Sequence, residues 1–343
     1  MKKITLQMIA DKLGVSKALV SKALANDSAV NEQTKETIWR TAEEMGYPLK
    51  RRASAGANTR TLAVLMPRAY LNDMEYWGKV IHGIDQELIG QGYGMVLSSI
   101  DIALPPKDGL PASVYENKVD GALVMGHLPD TYITALRSND FPIVMVDANL
   151  LDQSLDHVHA NNFLGAYRAT QSLIEAGHRR IGFVGDADTS WSFRERSRGF
   201  EEAIAHYNVK HDDPIERLHI SGVGVSGEGM YTDPELKEHL RSSLAQQGTT
   251  ALFCANDLTA FESLKALTDL GYRCPEDISI IGFDDLTLSE LMQPKLTTVS
   301  VPKHEIGARA AQLIVRRIQQ PDATPEQVLL ATRLIERASV RTV

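Results

Sequence analysis

ITLQMIADKLGVSKALVSKALANDSAVNEQTKETIWRTAEEMGY, residues 4–47, reads as three short helices in fixed order. Leu6, Ile9, Ala10 and Leu13 recur on one face of a first helix, and the Thr5 hydroxyl is placed to cap it. Gly14 ends that helix, because glycine adopts the left-handed backbone of a sharp turn at no steric cost. Val15 fills the corner, and Ser16 caps a second helix from Lys17 to Leu24. Asn31 caps a third, whose stripe of Ile38, Ala42 and Met45 lies across the first two before Gly46 stops it. The spacing is that of a helix-turn-helix, although ordinary helical hairpins with a glycine turn share it.

The residues narrow the choice. In the second helix Ala18, Leu19, Ala23 and Leu24 mix with Lys17, Ser21 and Lys22, so one side packs while the other offers donors to phosphates and base edges. IADKLGVSKALVSKALAN followed by VNEQTKETIWRTAEEMGY resembles the N-terminal domain of the lactose-repressor/galactose-repressor (LacI/GalR) family of bacterial transcription regulators. The resemblance implies that Lys17, Ala18 and Lys22 read bases while Ser16, Ser21 and Asn31 hold phosphates. Lys17 and Lys22 suit guanine O6/N7, and Ala18 suits a thymine methyl. Leu19 departs from the family's usual threonine and forgoes one phosphate hydrogen bond. One such head is too small to be selective alone, so a homodimer on pseudo-palindromic double-stranded operator DNA is expected.

Charge agrees with that division. Residues 1–60 hold eleven Lys/Arg against six Asp/Glu, and the remainder holds 25 against 38, a basic head on an acidic body. The 43% hydrophobic fraction is that of a globular chain, and 343 residues suit a head plus two lobes. Two cysteines, Cys254 and Cys274, support neither a disulfide framework nor a four-ligand zinc site. Neither a secretion signal nor a run long enough for a membrane span is present, so a soluble, cytoplasmic protein with no membrane partner is expected.

After Pro48 comes a basic linker rich in small residues, Lys50 to Thr61, with no apolar side chain larger than Ala. Composition alone makes it a solvated tether. In the family this segment forms a hinge helix on the operator and wedges a leucine into the minor groove. That leucine is missing here and the linker is about two residues short. Lys50, Arg51 and Arg52 remain candidates for phosphates or the minor groove.

From Leu62 onward, apolar runs at 62–66, 94–97, 121–125, 142–147, 180–185, 251–256 and 278–285 alternate with amphipathic segments such as Trp77 to Gln91, Asn162 to Ala176 and Asp257 to Leu270. Uninterrupted apolar runs suit strands buried on both faces of parallel sheets, and the series predicts doubly wound α/β lobes with ligands beyond the strand ends. VDGALVMG, PIVMVDAN, EAGHRRIGFVGD, RERSRGFEEAI, ALFCANDLTAFESLKAL, GYRCPEDISIIGFDD and PKLTTVSVPKHEIGARAAQLI resemble the family in order, so the likeness covers nearly the whole chain. It implies a periplasmic-binding-protein-like core: residues 1–47 as head, 48–60 as hinge, and 61–343 as two lobes. The first lobe takes about 61–150 and 292–322, the second about 156–286 and 326–343. Crossings are expected near Asn149 to His157, Leu286 to Pro294 and Pro321 to Gln327, with Leu296 to Val299 back in the first lobe and Leu329 to Arg337 in the second.

The candidate effector site follows from the strand ends. Asp147 and Asp284 offer carboxylates to hydroxyls, and Arg196 offers a rigid donor fork. Asn256 and Asp257 add polar groups, although Asp257 serves equally as a helix cap. Tyr76 and Trp77 fall where the family has an aromatic pair, or else form the core face of a helix; Trp191 lies on the loop before Arg196. Asp285 is read as a cap or solvent-facing, and Arg194 and Arg198 as solvated or paired with Glu195 and Glu201. The GxGxxG letters of Gly222 to Gly227 are set aside, because a loop-like segment follows them instead of a helix. With no Walker loop, nucleophile elbow or metal-spaced cluster, the reading is a non-enzymatic repressor without cofactor or metal, controlled by a small carbohydrate. A nucleobase or protein co-effector and an intracellular solute-binding protein remain alternatives.

Overall fold

The computed structural model describes residues 4–24, 27, 30–45, 47, 59–116, 118–138, 142–148, 154–188, 190–220 and 234–343. It divides into two units, one built on the N-terminal head and one beginning at Arg60. In the head, α1 (Leu6–Leu13), α2 (Lys17–Leu24) and α3 (Glu32–Glu44) form as the sequence predicts. The Thr5 side chain accepts from Met8 N, and Gly14 closes α1 at φ 66°. Ser16 Oγ accepts from Leu19 N at 3.1 Å, and Asn31 Oδ1 from Thr34 N at 2.8 Å. Ile9, Ala10, Val20, Ala23, Val30, Ile38 and Ala42 make the small core, so Val20, not Ala18, leads the packed side of α2. Trp39 Nε1 donates to the carbonyl of Ala23 at 3.2 Å and ties α3 to the end of α2. Gly46 lies outside the described residues.

The core opens with β1 (Thr61–Pro67), a 3-10 turn over Arg68–Asn72, α4 (Met74–Gly90) and β2 (Gly94–Ile100). Two short helices, α5 (Pro106–Gly109) and α6 (Ala112–Tyr115), lead to β3 (Ala122–Met125), α7 (Asp130–Arg137), β4 (Ile143–Val146) and β5 (Asp156–Ala160). The second lobe runs α8 (Asn162–Glu175), β6 (Arg180–Val184), α9 (Trp191–Lys210), β7 (Glu216–Ile220) and α10 (Pro234–Gln247). It continues through β8 (Ala251–Cys254), α11 (Asp257–Asp269), β9 (Ser279–Asp284), α12 (Thr287–Leu291) and β10 (Thr297–Ser300). The chain then returns for α13 (Lys303–Gln319) and β11 (Gln327–Leu330), and crosses again for β12 (Arg333–Ile335).

Two six-stranded sheets result, ordered β11-β5-β4-β3-β1-β2 and β12-β10-β9-β8-β6-β7. Among the described residues every strand pairing is parallel except β10 with β12. β1, β3, β4, β8 and β9 are buried almost throughout, as their apolar runs require.

The lobe boundaries differ from the sequence expectation. β10 pairs with β9, Thr298 opposite Gly282, and so belongs to the second lobe rather than the first. β5 and β11 pair with each other in the first, His157 opposite Gln327. The crossings therefore fall immediately after β5, between β10 and α13, and between β11 and β12. Strand pairing decides lobe membership, across 16 residues for β10 with β9 and 170 for β5 with β11, and the apolar pattern of a strand does not say which sheet it joins.

α4 and α13 cross at close range beneath the first sheet. A Cβ at Gly83 would lie 2.0 Å from the His304 carbonyl oxygen, and one at Gly307 would lie 2.0 Å from that of Val80. Among the described residues no helix is long and apolar enough to cross a membrane.

Candidate functional site

In the head, Lys17, Ala18, Ser21 and Lys22 are all exposed, on the side of α2 opposite buried Val20 and Ala23. Ser16 and Asn31 spend one acceptor each on capping and keep a hydroxyl and an amide N–H as donors. Lys50, Arg51 and Arg52, like residues 222–227 of the glycine-rich stretch, lie outside the described residues.

In the core, a cleft of about 100 Å³, partly open to solvent, lies between the lobes. The first lobe lines it with Tyr70, Asp73, Tyr76, Trp77, His127 and Asp147; the second does so with Ser190, Trp191, Ser192, Phe193, Arg196, Asn256 and Asp284.

Asp147 and Asp284 occupy equivalent places, just past β4 and at the end of β9, and both take left-handed backbone, at φ 50° and 108°. Such conformations cost on the order of 1–3 kcal/mol each and persist where surrounding packing imposes them. Here they turn both carboxyls to the cleft. Asp147 Oδ2 accepts from the Tyr76 hydroxyl at 2.9 Å, while its Oδ1 is buried without a hydrogen-bond partner.

Arg196 is only 3% exposed, and three of its donors are committed. Nε donates to Asn162 Oδ1 at 2.9 Å, Nη1 to the Ala255 carbonyl at 2.7 Å and Nη2 to Asp284 Oδ1 at 3.0 Å. Its guanidinium stacks 3.8 Å above the Phe283 ring. One N–H on each terminal nitrogen remains for a ligand. Burial pushes the Asp147 and Asp284 carboxyls up, against the pull of Arg196. Burial, then the charge of Asp284, pushes Asp73 up to about 6. Lys303, behind the cleft, donates its ammonium to the carbonyl of Asp284, and burial pulls it down.

Aromatic rings form the walls. Trp77 stacks on Tyr70 at 5.1 Å and 8°, and Tyr76 meets Trp77 edge-on at 5.0 Å. Tyr76 and Trp77 are thus both buried helix residues and cleft liners. Trp191 opens α9 instead of lying on a loop, and its ring is 4.4 Å from that of His159.

Asn256 lines the cleft and caps α11, its Oδ1 accepting from Thr259 N at 2.9 Å. Asp257 does neither. It is fully buried and accepts from Leu286 N, Ser289 Oγ and Thr298 Oγ1 at 2.8, 2.6 and 2.5 Å, knitting α11 to α12 and β10. Its direction is set by partners up to 41 residues away in sequence, so it leaves the ligand set. Asp285 stays out of the cleft: its side chain is partly exposed to solvent and accepts from Arg337 Nη2 at 2.8 Å instead of capping a helix. Arg198 pairs with Glu195, as expected for an exposed helix face.

Tyr70, Asp73, His127, Ser190, Ser192 and Phe193 line the cleft without having been singled out in the sequence. Asp73 carried one readable signal, an Asp three residues before Tyr76 at a helix start, and it caps α4 at 3.3 Å to Tyr76 N. Asn162, which positions Arg196, opens α8 and carried none.

Residues 5–48 match the profile of the bacterial regulatory proteins of the lacI family, and residues 170–340 match that of a periplasmic binding protein-like domain. The chain is 29% identical to the HTH-type transcriptional repressor PurR of Mannheimia succiniciproducens, over 98% of both chains. It is 28% identical to the probable HTH-type transcriptional repressor ExuR of Bacillus subtilis, again over 98% of each. In structure it is similar to the transcriptional regulator CelR in its cellobiose complex, with TM-score 0.70 and 27% identity over 98% of this chain and 100% of that one. It is also similar to a LacI family regulator from Enterococcus faecium with bound ribose, with TM-score 0.69 and 27% identity over 82% of this chain and 99% of that one.

Proposed function

Because the chain belongs to the lacI family of bacterial regulatory proteins, and is a DNA-binding transcriptional regulator with an effector-binding core, we propose that it is a repressor whose effector is a small carbohydrate bound between the lobes. The observation that carries the reading is the pairing of an unpartnered buried acceptor, Asp147 Oδ1, with the pre-set Arg196 fork between aromatic walls. A sugar presents hydroxyls to the first two and its C–H face to the rings. The sugar complexes of the two similar regulators support the same choice.

Repression runs through the head. Lys17, Ala18 and Lys22 enter the major groove and contact base edges, while Ser16, Ser21 and Asn31 hold phosphates. Lys50, Arg51 and Arg52 add backbone contacts, and two copies on a pseudo-palindrome supply the selectivity of a cytoplasmic dimer. Effector binding shifts lobe closure and with it operator affinity, by the ~1–3 kcal/mol usual for such coupling.

The test has two halves. Binding sites selected from a random duplex pool should be two-fold symmetric, and a thermal-shift panel should respond to sugars. Arg196→Ala should abolish the sugar response while the selected duplex still binds. A panel answered by purines alone would replace the sugar with a nucleobase, which the flat Tyr70–Trp77 wall also accommodates.

A further inference from the structure

Three acidic side chains line the cleft, and one of them, Asp284, is matched by a cation, Arg196 at 3.0 Å. Two are not matched. Asp73 spends Oδ1 on the main-chain N–H of Tyr76, and Asp147 has the neutral Tyr76 hydroxyl on Oδ2 and nothing on Oδ1. Both line the first-lobe wall. The nearby cations pull on both carboxylates without pairing with either, since Arg196 makes its ion pair with Asp284 and Lys303 is turned to the carbonyls of Asp284 and Asp285.

We infer that the cleft discriminates by charge. It takes polyhydroxylated ligands that are neutral or carry a protonated amine, it excludes sugar acids and sugar phosphates, and Asp73 sets the discrimination. The inference rests on the carbohydrate reading of the same cleft. An anionic group near Arg196 would have to displace Asp284 or share the guanidinium with it, and would face two carboxylates without counter-ions in a partly dry site. Hydroxyls or an ammonium meet the same two carboxylates as donors, and the unfilled Oδ1 of Asp147 gains the partner it lacks. Asp73 is the adjustable member, because Asp147 is held by Tyr76 at a strained strand end, whereas Asp73 stands at a helix start that Asn or Ser caps equally well.

Calorimetric titration of the full-length protein tests this with matched series of the gluco, galacto and manno configurations: the neutral sugar, its 2-amino form, its uronate and its 6-phosphate. The expected result is at least one series whose neutral or amino member binds about tenfold or more tighter than its uronate and phosphate. Asp73→Asn should narrow that gap several-fold, and Asp73→Ser, which also keeps a capping oxygen, should do the same. Uronate or phosphate binding as tight as the neutral sugar would overturn the charge rule while leaving the carbohydrate reading intact. An unchanged gap in both variants, with neutral binding retained, would overturn the role of Asp73. Silence from every member of all three series, and from ribose and cellobiose titrated beside them, would overturn the carbohydrate reading itself, and this inference with it.

Discussion

The Asp73 carboxyl sits at about 6 against an ordinary 3.8, because burial and the neighbouring Asp284 disfavour its charge. A carboxyl raised on folding costs nothing while both states hold the proton, and its penalty grows as pH rises from about 4 to about 6 and stays full above that. The penalty is on the order of 1–3 kcal/mol, at the lower end because the side chain keeps partial solvent contact. Asp73→Asn, with the cap retained, should therefore raise the unliganded melting temperature at pH 7.5 and leave it unchanged at pH 4, a comparison thermal scans at the two pH values decide. Asp257, raised to about 7 by burial, acts in the same direction. Residues that terminate apolar strands, Asp147 and Asp284, were legible as cleft residues because the strand itself was. Asp257 was not, since a helix-start Asp looks the same whether its carboxylate turns to a cleft or to Ser289 and Thr298.

Helix contacts make stronger demands than the amphipathic pattern conveys. Gly83 on α4 and Gly307 on α13 each receive the other helix's main chain, so Gly83→Ala or Gly307→Ala must separate the two helices. Each should cost about 3 kcal/mol or more by overpacking, read from the urea midpoint, whereas alanine at the open Gly90 should have little effect on packing. In the head the decisive local feature is capping. Asn31→Ala removes the acceptor for Thr34 N and should cost about 1 kcal/mol of head stability, visible as earlier thermal unfolding of the α1–α3 unit. All three head helices could be read at once, because each carries its own cap, stop and stripe within a dozen residues.

At the scale of the molecule, the lobes are joined by the three crossings and by a direct latch. Thr287 on α12 donates through both N and Oγ1 to Glu75 Oε1 on α4, at 3.1 and 2.7 Å. Thr287→Ala removes the hydroxyl half of that contact. Small-angle scattering should then show a larger radius of gyration without effector, and effector binding should weaken a few-fold; an unchanged radius would show that the crossings alone set the closure. The sequence by itself determined the helix-turn-helix head, the alternation of strands and helices, and the strand-end residues Asp147 and Asp284, because each is encoded in hydrophobic spacing over a few neighbouring positions. Only the tertiary structure decided that β10 joins the second sheet, that β5 and β11 pair in the first, that Asp257 is buried and that Asp73 shares the cleft with Asp147. Those outcomes depend on which distant segments meet, and the energy of meeting is written in packing and pairing between elements rather than in any one of them.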